Sequence, residues 1–229
     1  MKRTRRRFSI RTTGPATREA VEIEVDVTDE TRVLDVLETI RLEHDPDLVY
    51  RRSCHHGSCG TCTCTIDGRP RLACTTRVAE LSGDPVVIAP LDGFASVGGL
   101  AVDRRSLFRE LDPNWSILRP SETPGADDNG QESSPLRFEN CIECGACVAA
   151  CPAAFPPEGF MGPAGLAALH RELQKRPQAE PSLLEIAARP RGAAACRRAL
   201  ECSRVCPAAV YPARHIADLQ RRLTKHSPP

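Results

Sequence analysis

Aromatic residues are scarce: six Phe, two Tyr and one Trp make up 4% of a 229-residue chain. No apolar run approaches the roughly 18–20 residues that span a bilayer, so the chain is expected to be soluble by itself. Neither sign of charge dominates. Lys and Arg number 31 against 30 Asp and Glu, and a net charge of +1 excludes a general nucleic-acid binder. There is no low-complexity tract and no structural repeat of ~20–50 residues. An export signal is also missing: Thr4-Arg5-Arg6-Arg7-Phe8 superficially resembles a twin-arginine start, but the following RTTGPATREAVEIEV is polar and has no apolar core. Without export, a secreted disulfide scaffold has no support.

What is present is a hydrophobic content of 41%, enough for a core in one large or two small domains, together with 20 Pro and 15 Gly, which call for turns and short elements. There are also 12 cysteines, at 54, 59, 62, 64, 74, 141, 144, 147, 151, 196, 202 and 206. Clustered thiols in a reducing compartment point to metal sites.

Residues 5–12 and 20–27 read as two strands around a Gly14-Pro15 turn, and alternation in the second puts Val21, Ile23, Val25 and Val27 on one face. Residues 31–42 carry Val33, Leu34, Val36, Leu37 and Ile40 at helical spacing, with Thr31 or Asp29 as the N-cap. CTCTIDG and RPRLAC form a hairpin about Asp67-Gly68, and Pro85–Pro90 supplies a closing strand. Hairpin, helix, hairpin and strand predict a β-grasp domain over 1–118. Residues 119–135 are polar and rich in Pro, Gly, Ser and acids, and read as a linker. Beyond it, Ala-, Leu- and Arg-rich helical patterns at 142–150, 164–175, 182–188, 192–205 and 213–223 predict an all-α domain over 136–229, and an α+β protein as a whole.

The first thiol group is Cys54-x4-Cys59-x2-Cys62-x11-Cys74. The C-x4-C-x2-C loop is the plant-type two-iron spacing, and four thiolates hold a [2Fe–2S] cluster. Gly57 and Gly60 let the backbone fold tightly around sulfide. Cys64 falls outside the pattern and alternates away on its strand. A four-cysteine zinc site is the competing reading, but zinc sites favour paired C-x2–4-C units a dozen or more residues apart. His55 and His56 lie in the loop; with four cysteines filling the site they are surface or supporting residues, not Rieske-type ligands.

Cys141-x2-Cys144-x2-Cys147-x3-Cys151-Pro152 matches the bacterial two-cluster run, in which the fourth cysteine crosses to the other cluster. Its echo is Cys196-x2-Ala199-x2-Cys202-x3-Cys206-Pro207, with alanine where the second cysteine belongs. Cys141, Cys144, Cys147 and Cys206 then supply a [4Fe–4S] cluster. Cys151, Cys196 and Cys202 supply three thiolates, which hold a [3Fe–4S] cluster. The three-iron site is expected to be easier to reduce than its four-iron neighbour, giving a relay with no substrate chemistry of its own.

At this point the sequence resembles the iron–sulfur subunit of succinate dehydrogenase and fumarate reductase, on the order of the three clusters and the short spacing to Cys74. Gly99–Asp103 with Arg104–Phe108, Phe160–Leu166 leading into Ala168–Arg171, and Cys206-Pro207 with Pro212 and Ile216 extend the match over residues 5–223. The resemblance implies an FAD-containing flavoprotein partner, a membrane anchor of cytochrome b type, a quinone near the three-iron cluster, and a peripheral location on the cytoplasmic side of the cell membrane. Three places depart from ubiquinone-reducing members. The tryptophan after the first Cys-Pro is replaced within Pro152–Pro156, the histidine after the first cysteine of the last group is Arg197, and the lysine after the last Cys-Pro is Ala208. A menaquinone or another acceptor is therefore open. The same relay in a fumarate reductase or with another flavoprotein, and a free multi-cluster ferredoxin, are the competing functions.

Trp115 is expected to pack between domains. Residues 187–229 carry nine Lys and Arg against Glu201 and Asp218. That excess reads either as a solvated helix face or as a surface toward anionic lipid or an anchor subunit.

Overall fold

A computed structural model describes residues 3–13, 20–108, 111, 138–154 and 160–226. The Gly14-Pro15 turn, Trp115, the 119–135 linker and Phe155-Pro156 lie outside the described residues. By packing, the chain divides into two compact units, Met1–Arg104 with Ile142–Ala149, and Arg105–Cys141 with Ala150–Pro229.

The first unit begins with β1 (Thr4–Ile10), β2 (Val21–Val27) and α1 (Val33–Glu43). It continues with β3 (Thr63–Ile66), β4 (Arg69–Leu72) and β5 (Val86–Ala89). The sheet order is β2-β1-β5-β3-β4, with β1 and β5 parallel and the other pairs antiparallel, which is β-grasp connectivity. Asp67 (φ 46°) and Gly68 (φ 74°) close the β3–β4 hairpin in the left-handed conformation that a two-residue turn needs. The apolar stripe of α1, Val33, Leu34, Val36, Leu37 and Ile40, is fully buried together with Phe8, Ile66 and Ile88. Two expectations change. β2 is an edge strand, so only Val25 and Val27 of its predicted face are buried, and Val21 stays exposed. The N-cap of α1 is Arg32, whose N–H donates to Asp35 Oδ2 at 2.8 Å, whereas Thr31 Oγ1 accepts from the Thr28 N–H in the preceding turn.

A second hairpin, β6 (Ala95–Gly98) and β7 (Ala101–Asp103), was not legible in the sequence. It buries Leu100, Ala101 and Val102. Val102 and Leu91 then pack with Ala149 of the short helix α2 (Ala146–Ala149). This is why Ile142–Ala149 belongs to the first unit although the sequence places it beyond the linker.

The second unit contains α3 (Pro163–Lys175), α4 (Glu180–Ala188), α5 (Glu201–Arg204) and α6 (Pro212–His226). Pro163 opens α3 after Gly162 (φ 97°), where its missing N–H costs nothing. Leu166, Leu169 and Leu173 of α3 meet Leu183 and Leu184 of α4 and Ile216 and Leu219 of α6 in one core. The predicted helices at 142–150 and 192–205 shrink to the single turns α2 and α5. Glu143 (φ 52°), Gly145 (φ 83°), Arg198 (φ 54°) and Leu200 (φ 63°) hold left-handed backbone that no continuous helix accommodates.

Two histidines sit inside the helical core. His215 Nδ1 lies 2.8 Å from His170 Nδ1, and His170 Nε2 lies 2.5 Å from Asp218 Oδ2. A neutral pair satisfies both contacts when His215 Nδ1–H donates to His170 and His170 Nε2–H donates to Asp218. Burial lowers the pKa of His170 against the opposing pull of Asp218. Burial and the adjacent His170 push His215 down from 6.5 to about 3. Burial alone would raise Asp218, but hydrogen bonds from Arg221, Arg222 and His170 hold it well below the usual carboxylate range. An unfolded chain takes up a proton at His215 below its ordinary pKa, whereas the folded one refuses it until about pH 3. The stability carried by the neutral pair is therefore complete above pH 6.5 and is lost as pH falls toward the folded value. The slope is at most ~1.4 kcal/mol per pH unit for one proton. Unfolding of the cluster-loaded chain in urea, from about pH 8 to about pH 5, should show this loss, and His215→Gln should flatten it. Equal slopes in the two proteins would contradict the assignment.

Candidate metal centres

The four thiols of the first group are brought together by the loop that precedes β3 and by the end of the β3–β4 hairpin. The Ala73 N–H donates to Cys62 O at 3.2 Å, which sets Cys74 beside Cys62. Cys62 and Cys74 are buried, while Cys54 and Cys59 are half-buried. The Cys54 thiol is pulled down to about 5, first by the His56 N–H, then by the Ser58 hydroxyl and by Cys59. Donors aimed at a sulfur stabilise the thiolate, which is the form that binds iron. Burial and the adjacent Cys62 push Cys74 up to about 12. Left-handed backbone at His55 (φ 61°), Gly57 (φ 88°) and Gly60 (φ 67°) curls the loop. His56 braces it, with Nδ1 2.5 Å from Cys54 O and Nε2 2.9 Å from Ser58 Oγ. His56 is thus a support of the loop, whereas His55 contributes left-handed backbone. Cys64 lies fully buried within β3, where burial pushes its thiol up to about 12.

Of the second group, Cys144 and Cys147 belong to the first unit, and Cys141 and Cys206 to the second. Cys144 packs directly on the first loop. A Cβ on Gly60 would lie 2.7 Å from Ile142 O and 2.8 Å from Cys144 Cβ, so only glycine fits there. In the second unit the Val210 N–H donates to Cys206 Sγ at 3.4 Å.

The third group lines a cavity of about 420 Å³ whose walls include Cys151, Cys196, Cys202 and Ala199. Burial and the nearby Cys196 raise the Cys151 thiol, and burial, with Cys151 and Cys196 close by, pushes Cys202 up to about 11. The loops 141–147 and 196–202 are conformational twins. The second residue after the opening cysteine is left-handed in both (Glu143 and Arg198), as is the fourth (Gly145 and Leu200). A one-turn helix begins at the fifth in both, at Ala146 and at Glu201. Ala199 thus stands in the backbone position that Cys144 occupies. Among the described residues, no three His, Cys, Asp or Glu side chains converge as they would around a single metal ion.

The sequence agrees with the description "2Fe-2S iron-sulfur cluster binding domain" over residues 6–109 and with "4Fe-4S dicluster domain" over residues 137–210. It is 33% identical over 211 residues to the fumarate reductase iron-sulfur subunit of Mycobacterium tuberculosis, covering 89% of this chain and 85% of that one. The chain belongs to the succinate dehydrogenase and fumarate reductase iron–sulfur subunit family. Another member, the succinate dehydrogenase iron-sulfur subunit of Coxiella burnetii, is 31% identical over 90% of this chain and 89% of its own. A chain of the Mycobacterium smegmatis Sdh1 complex in the apo form shares the fold, with a TM-score of 0.79 at 23% identity over 99% of this chain and 98% of that one.

In this iron–sulfur subunit, Arg197 stands in the wall of the third cavity, and Ala208 packs against the helical core. Part of the basic excess of residues 187–229 is spent internally. Arg204 pairs with Glu201, Arg221 with Asp218, and Arg222 with Asp218 and Glu180. One residue that the thiol spacing could not reveal is Arg104, which reaches the first two thiol groups through backbone carbonyls.

Proposed function

We propose that the chain is the electron-transfer subunit of a succinate dehydrogenase, carrying electrons from an FAD-containing flavoprotein subunit to a quinone at a cytochrome b type membrane anchor. The observation that carries this reading is the pair of twin loops with Ala199 in place of one thiol, in a chain of this family. Cys54, Cys59, Cys62 and Cys74 hold a [2Fe–2S] cluster in this proposal. Cys141, Cys144, Cys147 and Cys206 hold a [4Fe–4S] cluster, and Cys151, Cys196 and Cys202 a [3Fe–4S] cluster. The donor sets fit these groups: sulfur alone, with N–H donors on Cys54 and Cys206, and a cavity of three thiols for the last.

Bound clusters supply one-electron transfer. The chain's own residues bind them as thiolates, bury the inner sulfurs from water, and hold the first and second ligand loops in contact at Gly60 and Cys144. No residue of the chain is assigned to succinate chemistry. Relatives named for succinate oxidation and for fumarate reduction match over nearly the same span, because these residues hold electron carriers whose direction is set by the partners' potentials. The domain reading that goes with this function is a 2Fe–2S domain over 1–118, a linker over 119–135 and an all-α dicluster domain over 136–229. No helix among the described residues is long and apolar enough to cross a membrane; a peripheral place on the cytoplasmic face, held by an anchor, is part of this proposal.

Affinity purification of the chain from detergent-solubilised membranes of its host tests the reading. A flavoprotein and a small membrane protein should co-purify, and the complex should reduce a dye with succinate. Recovery of the chain by itself, with all three clusters and no such activity, would favour the free multi-cluster carrier.

A further inference from the structure

Arg104 follows β7 at the edge of the first unit. Its guanidinium Nη1 donates to Gly60 O at 2.8 Å and to Glu143 O at 3.1 Å. Gly60 lies between Cys59 and Cys62 in the first ligand loop, and Glu143 precedes Cys144 in the second. The Arg104 stem is seated against Gly145, whose added Cβ would come within 3.4 Å of Arg104 Cδ. The charged groups around it are the Cys144 and Cys59 thiols, Glu143 and the like-charged Arg51. Burial lowers its pKa, with the two thiols and Glu143 opposing, and an arginine remains protonated throughout the working range.

We propose that Arg104 is a positioning residue shared by the first two clusters: it ties their ligand loops together through Gly60 and Glu143, and its fixed positive charge raises both reduction potentials. The electrostatics follow from the electron count. Reduction adds one negative charge to a cluster whose nearest thiolates lie beside this guanidinium, so the reduced form gains more from the cation than the oxidised form does. The third cluster, held by Cys151, Cys196 and Cys202, shares no residue with this contact and serves as an internal reference. The inference rests on the proposed [2Fe–2S] and [4Fe–4S] assignments.

The test is an EPR-monitored redox titration of the purified complex carrying wild-type chain, Arg104→Gln or Arg104→Lys. Arg104→Gln should lower the reduced-to-oxidised ratio of both the two-iron and four-iron clusters about tenfold at a fixed ambient potential, which is about 59 mV for a one-electron couple. The three-iron midpoint should not move. Arg104→Lys keeps the charge but loses the planar fork, and should restore both potentials toward wild type. Unchanged two- and four-iron midpoints in Arg104→Gln would overturn the proposal, as would a Lys variant shifted as far as the Gln variant. If the Gln variant fails to load clusters, the Lys variant decides: loading with wild-type potentials supports the charge argument, and failure of both variants overturns it by making Arg104 a residue of the fold alone. Absence of the two- and four-iron signals from the wild-type complex would instead overturn the cluster assignments and this inference with them.

Discussion

Ala199→Cys should allow a fourth iron to enter the third site. The 196–202 loop follows the backbone of 141–147 residue for residue through its left-handed positions, so a thiol at 199 is placed as Cys144 is, and it opens on the cavity that Cys151, Cys196 and Cys202 line. The EPR signal of the oxidised three-iron cluster should shrink, and a second four-iron signal should appear on reduction. An added thiolate puts more negative charge into the site, so its potential should fall. Electrons from the flavoprotein side then meet an uphill last step. Because ~30 mV is only about 0.7 kcal/mol for one electron, stalling turnover takes a drop on the order of a few hundred millivolts. Quinone reduction should slow strongly while dye reduction from the earlier clusters survives. A variant that keeps its three-iron signal in full would show that the missing thiol is not what leaves the site at three irons.

Cys62→Ser should abolish the reduced two-iron signal and the activity that depends on it, whereas Cys64→Ser should keep both. The two thiols are two residues apart in sequence and both buried, so burial does not separate them. Their neighbours do. Cys62 shares its surroundings with Cys74, which in turn faces Cys54. Cys64 lies inside β3 opposite Arg71, and burial dominates its surroundings. Serine at 64 buries a hydroxyl in place of a thiol, costing about 1–3 kcal/mol if it finds no partner, which thermal unfolding would report as a lower Tm with the cluster spectrum intact. Loss of the two-iron signal in Cys64→Ser and its retention in Cys62→Ser would reverse the assignment.

The first half of the fold was legible because its signals are local. Alternation gave the strands, the apolar stripe gave α1, and Asp67-Gly68 gave a hairpin that closes with the φ values such a turn demands. The β6–β7 hairpin escaped because Ala95–Gly98 has no alternating apolar face. Its burial comes from Leu100–Val102 after the turn. The helices at 142–150 and 192–205 were over-extended for the opposite reason. Cysteines three apart, set among alanines, imitate helical periodicity, while the residues that break the helix include Glu143, Arg198 and Leu200, which carry no turn signature. The grouping of the thiols rests on their spacing, which the sequence carries in full. Arg104 was not, since it speaks to carbonyls of residues 44 and 39 positions away, and carbonyls leave no trace in composition. Nor could spacing show that Ile142–Ala149 packs with the sheet, because that depends on glycine at 60 and on the small Ala149 against Val102 and Leu91.

The most direct test of the three-centre relay is an iron, sulfide and EPR inventory of the chain purified anaerobically. Two, four and three irons give about nine irons and about ten sulfides per chain. In the oxidised state only the three-iron cluster should give a signal, with the two-iron and four-iron signals emerging on stepwise reduction. Zinc in place of iron, or an oxidised sample without a three-iron signal whose reduced state shows two four-iron clusters, would contradict the account.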